Sequence, residues 1–308
     1  MNSNPKIIFL GTPEFAVASL RALVENGFPV VAVVTAPDKP AGRGLKLTES
    51  AVKSYAVQKN IPVLQPLKLK NPEFLEQLKS FRADIQVVVA FRMLPELVWA
   101  MPSLGTINLH GSILPQYRGA APINRAIMNG EIKTGVTTFK LQQEIDTGNI
   151  LLCEEMSIGP DETAGELHDR MKETGARLVI QTIQGLISGT LKEKPQGQVD
   201  PSLLKPAPKI FTEDCVISWS DPVSKIYNQI RGLSPFPGAF TFINGKTFKI
   251  FHARPETKQL PNTAGRMETD GKTWLRFSAS DGYIYVEEMQ AEGRKRMRTA
   301  DFLRGYRG

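Results

Sequence analysis

KIIFLGTPEFAVASLRALVE, residues 6–25, is the stretch whose reading decides the fold. Residues 6–10 form a short apolar run without polar alternation, the pattern of a strand buried on both faces. Gly11-Thr12-Pro13 breaks the run, and the apolar spacing then changes to that of an amphipathic helix lasting to about Glu25. Outward from this unit, residues 30–34, 62–64 and 85–90 read as further strands with helical segments between them. Strands alternating with helices predict an α/β fold with a mostly parallel sheet covered on both faces. Residues 106–110 and 136–141 add two short strands. A capping box, Thr163 and Glu166, then opens a long helix. Its apolar stripe of Leu167, Met171, Leu178, Ile183 and Leu186 runs out near Gly189.

After that the texture changes. Residues 194–209 contain Pro195, Pro201, Pro206 and Pro208, a density that excludes a continuous regular element. We read this stretch as a linker between a first domain, 1–193, and a second, 210–308, as 308 residues exceed one ordinary core. Past a helical stretch at 222–230, alternating runs at 239–243, 247–251, 274–277 and 283–287 predict a small β-barrel.

Composition narrows the function classes. With 41% hydrophobic and 22% charged residues, and no apolar stretch near the ~20 residues of a membrane span, a soluble cytoplasmic protein is expected. Two cysteines, Cys153 and Cys215, rule against a disulfide framework, and three histidines without a metal-ligand spacing rule against a metal site. The net charge of +7 is uneven, with 21 Lys and Arg against 20 Asp and Glu through Leu204, and 17 against 11 from Lys205 onward. A basic second domain fits polyanion binding, most simply nucleic acid, and fits plain solubility about as well.

The densest cluster of reactive side chains is Asn108-Leu109-His110-Gly111-Ser112. Side chains two apart on a strand point the same way, so Asn108 and His110 project together while Ile107 and Leu109 face the core. Asp146 arrives separately, in a turn with Thr147 and Gly148. A carboxylate beside an imidazole favours the imidazolium, and a placed amide can donate to a developing oxyanion. The three types together suit acyl transfer to an amine, without a covalent nucleophile. A Ser-His-Asp hydrolase using Ser112 lacks the G-x-S-x-G elbow. A purely structural role for Asn108 and His110 at a strand end is the plainer alternative.

Asn108-x-His110-x-Ser112-Ile113-Leu114-Pro115, then Tyr117-Arg118-Gly119-Ala120-Ala121-Pro122, then Asp146-Thr147-Gly148, resembles the folate-dependent formyltransferase superfamily. The likeness extends to Gly11-Thr12-Pro13-Glu14-Phe15, to the loop Asp38-Lys39-Pro40-Ala41-Gly42-Arg43-Gly44 and to Ala207-Pro208-Lys209-Ile210. These, with the run from Ile230 to Ala239, narrow it to members that act on a charged initiator tRNA. The resemblance implies a Rossmann-like formyltransferase domain followed by an OB-like β-barrel. It implies 10-formyltetrahydrofolate as formyl donor, no metal, and the α-amino group of initiator methionyl-tRNA as acceptor. It assigns Asn108, His110 and Asp146 to catalysis, and Ser112, Ile113, Leu114, Pro115, Phe91, Arg92, Met93 and Leu94 to the folate pocket. Arg92 stands where the family commonly has small or apolar residues. Arg43 and Lys46, in an irregular loop over 36–48, and Arg294, Lys295, Arg296 and Arg298 are assigned to tRNA. A monomer without a stable protein partner or membrane contact is expected. A sibling enzyme formylating a small amine, such as an amino sugar nucleotide, is the alternative.

Overall fold

The computed structural model describes residues 4–41, 46–197, 199–258 and 264–306. In chain order its elements are β1 (Ile7–Gly11), α1 (Glu14–Glu25), β2 (Val30–Val34), β3 (Lys39–Ala41), β4 (Lys46–Thr48), α2 (Ala51–Gln58), β5 (Val63–Leu64) and α3 (Pro72–Ser80). There follow β6 (Ile85–Val89), α4 (Glu96–Trp99), β7 (Thr106–His110), α5 (Pro122–Met128), β8 (Lys133–Lys140), β9 (Ile150–Ser157) and α6 (Ala164–Ile187). The remainder holds α7 (Val223–Leu233), β10 (Ala239–Ile243), β11 (Lys246–Thr257), β12 (Met267–Thr269), β13 (Leu275–Ser278), β14 (Gly282–Ala291), β15 (Met297–Arg298) and α8 (Thr299–Leu303).

Two compact units result, the first from Met1–Arg118, Gly135–Met156 and His168–Lys205. It is built on a seven-stranded sheet of order β5-β2-β1-β6-β7-β8-β9. The pairs from β5 to β7 are parallel and β7–β8 is antiparallel. Every residue of β1 and β6 is buried, as their apolar runs require of central strands, and the one polar side chain among them, Gln86, accepts from Thr106 Oγ1 at 3.2 Å. Gly11 closes β1 because α1 leaves no room there; a Cβ would lie 2.7 Å from Ala16 Cβ. On the α6 side, Gly175 lets the helix press onto Leu109, and Thr138 and Thr182 join their hydroxyls at 2.7 Å.

The stretch read as an irregular loop over 36–48 contains the β3–β4 pair, with Lys39 opposite Thr48 and Pro40 opposite Leu47. Three-residue strands interrupted by proline carry no alternation to read. The base of this loop is fixed by Asp38, which accepts from Lys53 Nζ at 2.5 Å and Gln65 Nε2 at 2.7 Å. The hydrogen bond from Lys53, then that from Gln65, holds the Asp38 carboxyl below its ordinary range.

The second unit comprises Gly119–Thr134, Ser157–Leu167 and Pro206–Gly308. Its antiparallel sheet, β10-β11-β14-β13-β12 with β15 on β14, forms the curled half-barrel of an OB-like domain. Register shifts in β11 on either side of His252 bend the strand, as bulges do. The concave face closes on Ile226, Ile230, Phe248, Phe277 and Ile284. α5 packs on α7, where Asn124 Nδ2 donates to Gly232 O at 2.7 Å.

Candidate active site

β7 lies where the first sheet changes from parallel to antiparallel pairing, and its last residue ends at a carboxyl-terminal strand edge. In sheets of this class ligands gather beyond those edges. Asn108 is half-buried and His110 is buried, with Ile107 and Leu109 buried on the opposite face, as the period of two demands.

His110 Nε2 lies 2.8 Å from Tyr117 O, and Nδ1 lies 3.8 Å from Asp146 Oδ2. A carbonyl oxygen only accepts, so Nε2 carries a hydrogen and Nδ1 is the atom turned to the carboxylate. At 3.8 Å the separation is longer than a hydrogen bond, so the imidazole and the carboxylate face each other without being joined, and each can still turn to a third group. Among the described residues the Asn108 carboxamide makes no hydrogen bond, so its donors are uncommitted.

The loop after β7 is framed from within. Ser112 is fully buried, and its hydroxyl donates to Gln116 O at 2.6 Å. Thr137, opposite His110 across the β7–β8 pair, donates to Ser112 O at 2.6 Å and accepts from Leu114 N at 3.3 Å. Leu114 is buried, Ile113 packs above Gly135, and Pro115 is half-buried. Thr137 carries no signal in the sequence beyond a strand position. The loop ends at Tyr117, with φ of 59°, whose N donates to Lys205 O at 2.7 Å.

Phe91 is half-buried against the sheet core, Arg92 and Met93 are exposed, and Leu94 is half-buried. The Arg92 guanidinium donates to Leu67 O at 3.0 Å and to Pro66 O, and stands 5.6 Å over the Phe91 ring. It thereby lies across the neighbouring loop. Beside it is an open cavity of about 530 Å³ lined by Leu69, Arg92, Leu94, Trp99 and Gln143, a size that suits a drug-sized ligand. Gln143 belongs to the segment that leads to Asp146.

Of the residues assigned to a polyanion, Arg43 lies outside the described residues, and Lys46 is placed by its backbone in β4. Arg294, Lys295, Arg296 and Arg298 are all exposed. Arg296 differs from the rest because it grips Glu288 with two bonds of 2.7 and 2.6 Å and covers the Phe251 ring at 4.5 Å. The arginine, as the largest cause, holds the Glu288 carboxyl below its ordinary range. A second cavity, of about 670 Å³, lies wholly in the second unit and joins Phe211, Phe236, Phe240, Lys209 and Lys249. In the sequence Phe236 stands out only as part of the run from Ile230 to Ala239, and none of these aromatics is assigned a role there. Phe236 is 81% exposed, which is costly for a residue with no partner to meet.

Among the described residues no group of His, Cys, Asp and Glu could hold a metal, and no helix is long and apolar enough to cross a membrane. Residues 5–183 match the family model described as formyl transferase, and residues 209–307 match that of the formyl transferase C-terminal domain. A methionyl-tRNA formyltransferase of Bacteroides thetaiotaomicron is 48% identical over 98% of this chain and 96% of its own length. Another, of Parabacteroides distasonis, is 50% identical over 98% and 96%. Among solved structures, an N-formyltransferase from Helicobacter canadensis bound to folinic acid and dTDP-3-aminofucose superposes with a TM-score of 0.65. It is 21% identical over 93% of this chain and 99% of its own. HypX from Aquifex aeolicus in complex with tetrahydrofolic acid gives 0.64 at 19% identity, over 98% of this chain and 47% of its own. At those identities the two structures bear on fold alone.

Proposed function

Because this chain belongs to the formyl transferase family, we propose that it moves the formyl group of 10-formyltetrahydrofolate to the α-amino group of initiator methionyl-tRNA. It is an enzyme, and its reaction serves translation initiation. The observation that carries the site assignment is the single orientation of His110, with Nε2 on Tyr117 O and Nδ1 toward Asp146. Attack of the amine on the formyl carbon makes an oxyanion and an ammonium. The free donors of Asn108 stabilise the oxyanion beside His110, and the Asp146 carboxylate receives the amine proton. Collapse of the intermediate then breaks the bond between the formyl carbon and the donor nitrogen, which takes up a proton passed on through His110 and leaves as tetrahydrofolate.

The donor supplies an activated formyl group, and the residues around 91–94 fit it. Its fused ring needs an open apolar cavity, and the one beside Leu94 and Trp99 has the size. We assign Ser112, Ile113, Leu114 and Pro115 to the donor site as well, although none of them lines that cavity and Ser112 and Leu114 are buried. We assign catalysis to the 1–193 domain and tRNA binding to 210–308, with 194–209 between them. Arg43 and Lys46 would meet the acceptor end. Arg294, Lys295, Arg296 and Arg298 would meet phosphates, and the exposed Phe211 and Phe236 beside Lys209 and Lys249 offer faces for unstacked bases. We place the protein in the cytoplasm as a monomer. The small-amine reading is set aside, since relatives matching nearly the whole chain at 48–50% identity bear the tRNA enzyme's name.

The test is formyl transfer to initiator methionyl-tRNA, elongator methionyl-tRNA, free methionine and an amino sugar nucleotide, each at equal concentration. Rapid formylation of the initiator alone is expected. Formylation of the sugar nucleotide with the tRNAs untouched would overturn the assignment.

A further inference from the structure

We propose that Gln196 is a positioning residue for Asp146, an inference that rests on the assignment of Asp146 and His110 to the reaction. Gln196 Nε2 donates to Asp146 O and to Gly148 O, each at 2.8 Å. Its Oε1 accepts from Arg118 Nε at 3.2 Å and Nη2 at 2.6 Å. The partners fix which way the amide faces. Two carbonyls can only accept and a guanidinium can only donate, so both amide hydrogens meet the turn and the oxygen meets Arg118.

The bracing has a reason. Asp146 has φ of 54°, in the left-handed region that a residue with a Cβ enters only when its surroundings hold it there. On one side the turn is pressed against β8, for a Cβ on Gly148 would lie 1.6 Å from Lys140 O. On the other side Gln196 ties the carbonyls at both ends of Asp146-Thr147-Gly148. The same brace returns to the imidazole, since Arg118 follows Tyr117, whose carbonyl orients His110. A ring therefore runs from His110 through Tyr117, Arg118 and Gln196 to Asp146 and back across 3.8 Å to His110. Gln196 touches none of the three side chains assigned to the reaction; it sets the separation of two of them.

Gln196→Glu separates the two halves of this role. The carboxylate keeps the length and the bond to Arg118 but has no hydrogen for either carbonyl. Single-turnover and steady-state formylation of initiator methionyl-tRNA should show kcat reduced by about 10- to 100-fold, the scale of a misplaced catalytic group. KM for both substrates should stay within about twofold of wild type, because only a step beyond binding is impaired. The pH dependence of kcat should move as well, since the carboxylate that takes the amine proton then stands at a changed distance from His110. In an Asp146→Asn background the same substitution should cost no further kcat. Asp146→Asn at the wild-type rate would defeat the site assignment itself. Asp146→Asn slowed but Gln196→Glu at the wild-type rate, or slowed only through KM, would overturn the positioning role. A kcat loss with an unmoved pH profile and a matching fall in melting temperature would also overturn it. Gln196→Ala removes both links and should be slower still; if it does not fold, Gln196→Glu carries the test alone.

Discussion

Thr137 sets two backbone groups of the loop after β7 with one hydroxyl, donating to Ser112 O and accepting from Leu114 N. It is fully buried, so neither group has water to fall back on once the hydroxyl is gone. Thr137→Val keeps the shape and should destabilise the protein by ~1–3 kcal/mol, the usual cost of orphaned buried polar groups. Because the loop ends at Tyr117, whose carbonyl orients His110, formylation should fall as well. Thr137→Ser keeps the hydroxyl and should restore both. Denaturant unfolding beside a formylation assay checks this, and equal behaviour of Val and Ser would show that the hydroxyl holds nothing. This scale is also where the sequence was least legible. Asn108 and His110 share a face by strand period alone, so their pairing could be read. Tyr117 acts through its carbonyl, and Gln196 reaches Asp146 across fifty positions, so neither role leaves a mark in residue type.

At the scale of elements the start of α6 was written locally. Thr163-x-x-Glu166 predicts a reciprocal cap, and Thr163 N and Oγ donate to Glu166 Oε2 at 2.8 and 2.7 Å while Glu166 N meets Thr163 Oγ at 3.3 Å. The backbone N–H of Thr163, then its hydroxyl, holds the Glu166 carboxyl below its ordinary value. A depressed carboxyl stabilises the fold above its unfolded pKa, and that contribution disappears as pH falls through the folded value. Thr163→Ala should cost ~1 kcal/mol near neutral pH, as removed caps do. The gap between wild type and Glu166→Ala should close as the solution is acidified through the Glu166 titration. Thermal melts from neutral pH downward would reveal it, and a gap that widened in acid would reverse the assigned sign. The central strands of the first sheet were equally legible, since β1 and β6 are apolar runs broken only by Gln86. The packing of α5 on α7 was not, because Asn124 and Gly232 stand 108 positions apart and nothing in either segment names the other.

Over the whole molecule the net charge of +7 resides almost entirely beyond Leu204, where 17 basic residues face 11 acidic ones. Such a count says that a polyanion is drawn in, and it treats Arg294, Lys295, Arg296 and Arg298 alike. The structure separates them. Arg296 already commits one edge of its guanidinium to the two oxygens of Glu288 and one face to the Phe251 ring. A bidentate arginine–carboxylate pair is close to neutral at a distance, so it attracts a phosphate only weakly. Its neighbours Arg294 and Lys295 are exposed. For a duplex, each phosphate that the protein neutralises adds about 0.9 to the slope of log K against log salt. Replacing Arg294 or Lys295 by alanine should therefore reduce the salt slope of initiator tRNA binding by about one unit each, and Arg296→Ala by much less. Glu288→Gln should act the other way, releasing the Arg296 charge and tightening binding most at low salt. Filter binding or fluorescence titration over a range of salt concentrations decides between these outcomes. A slope that is unchanged in all four variants would move the tRNA off this edge of the half-barrel, and the aromatic cavity around Phe211 and Phe236 would be the next surface to alter.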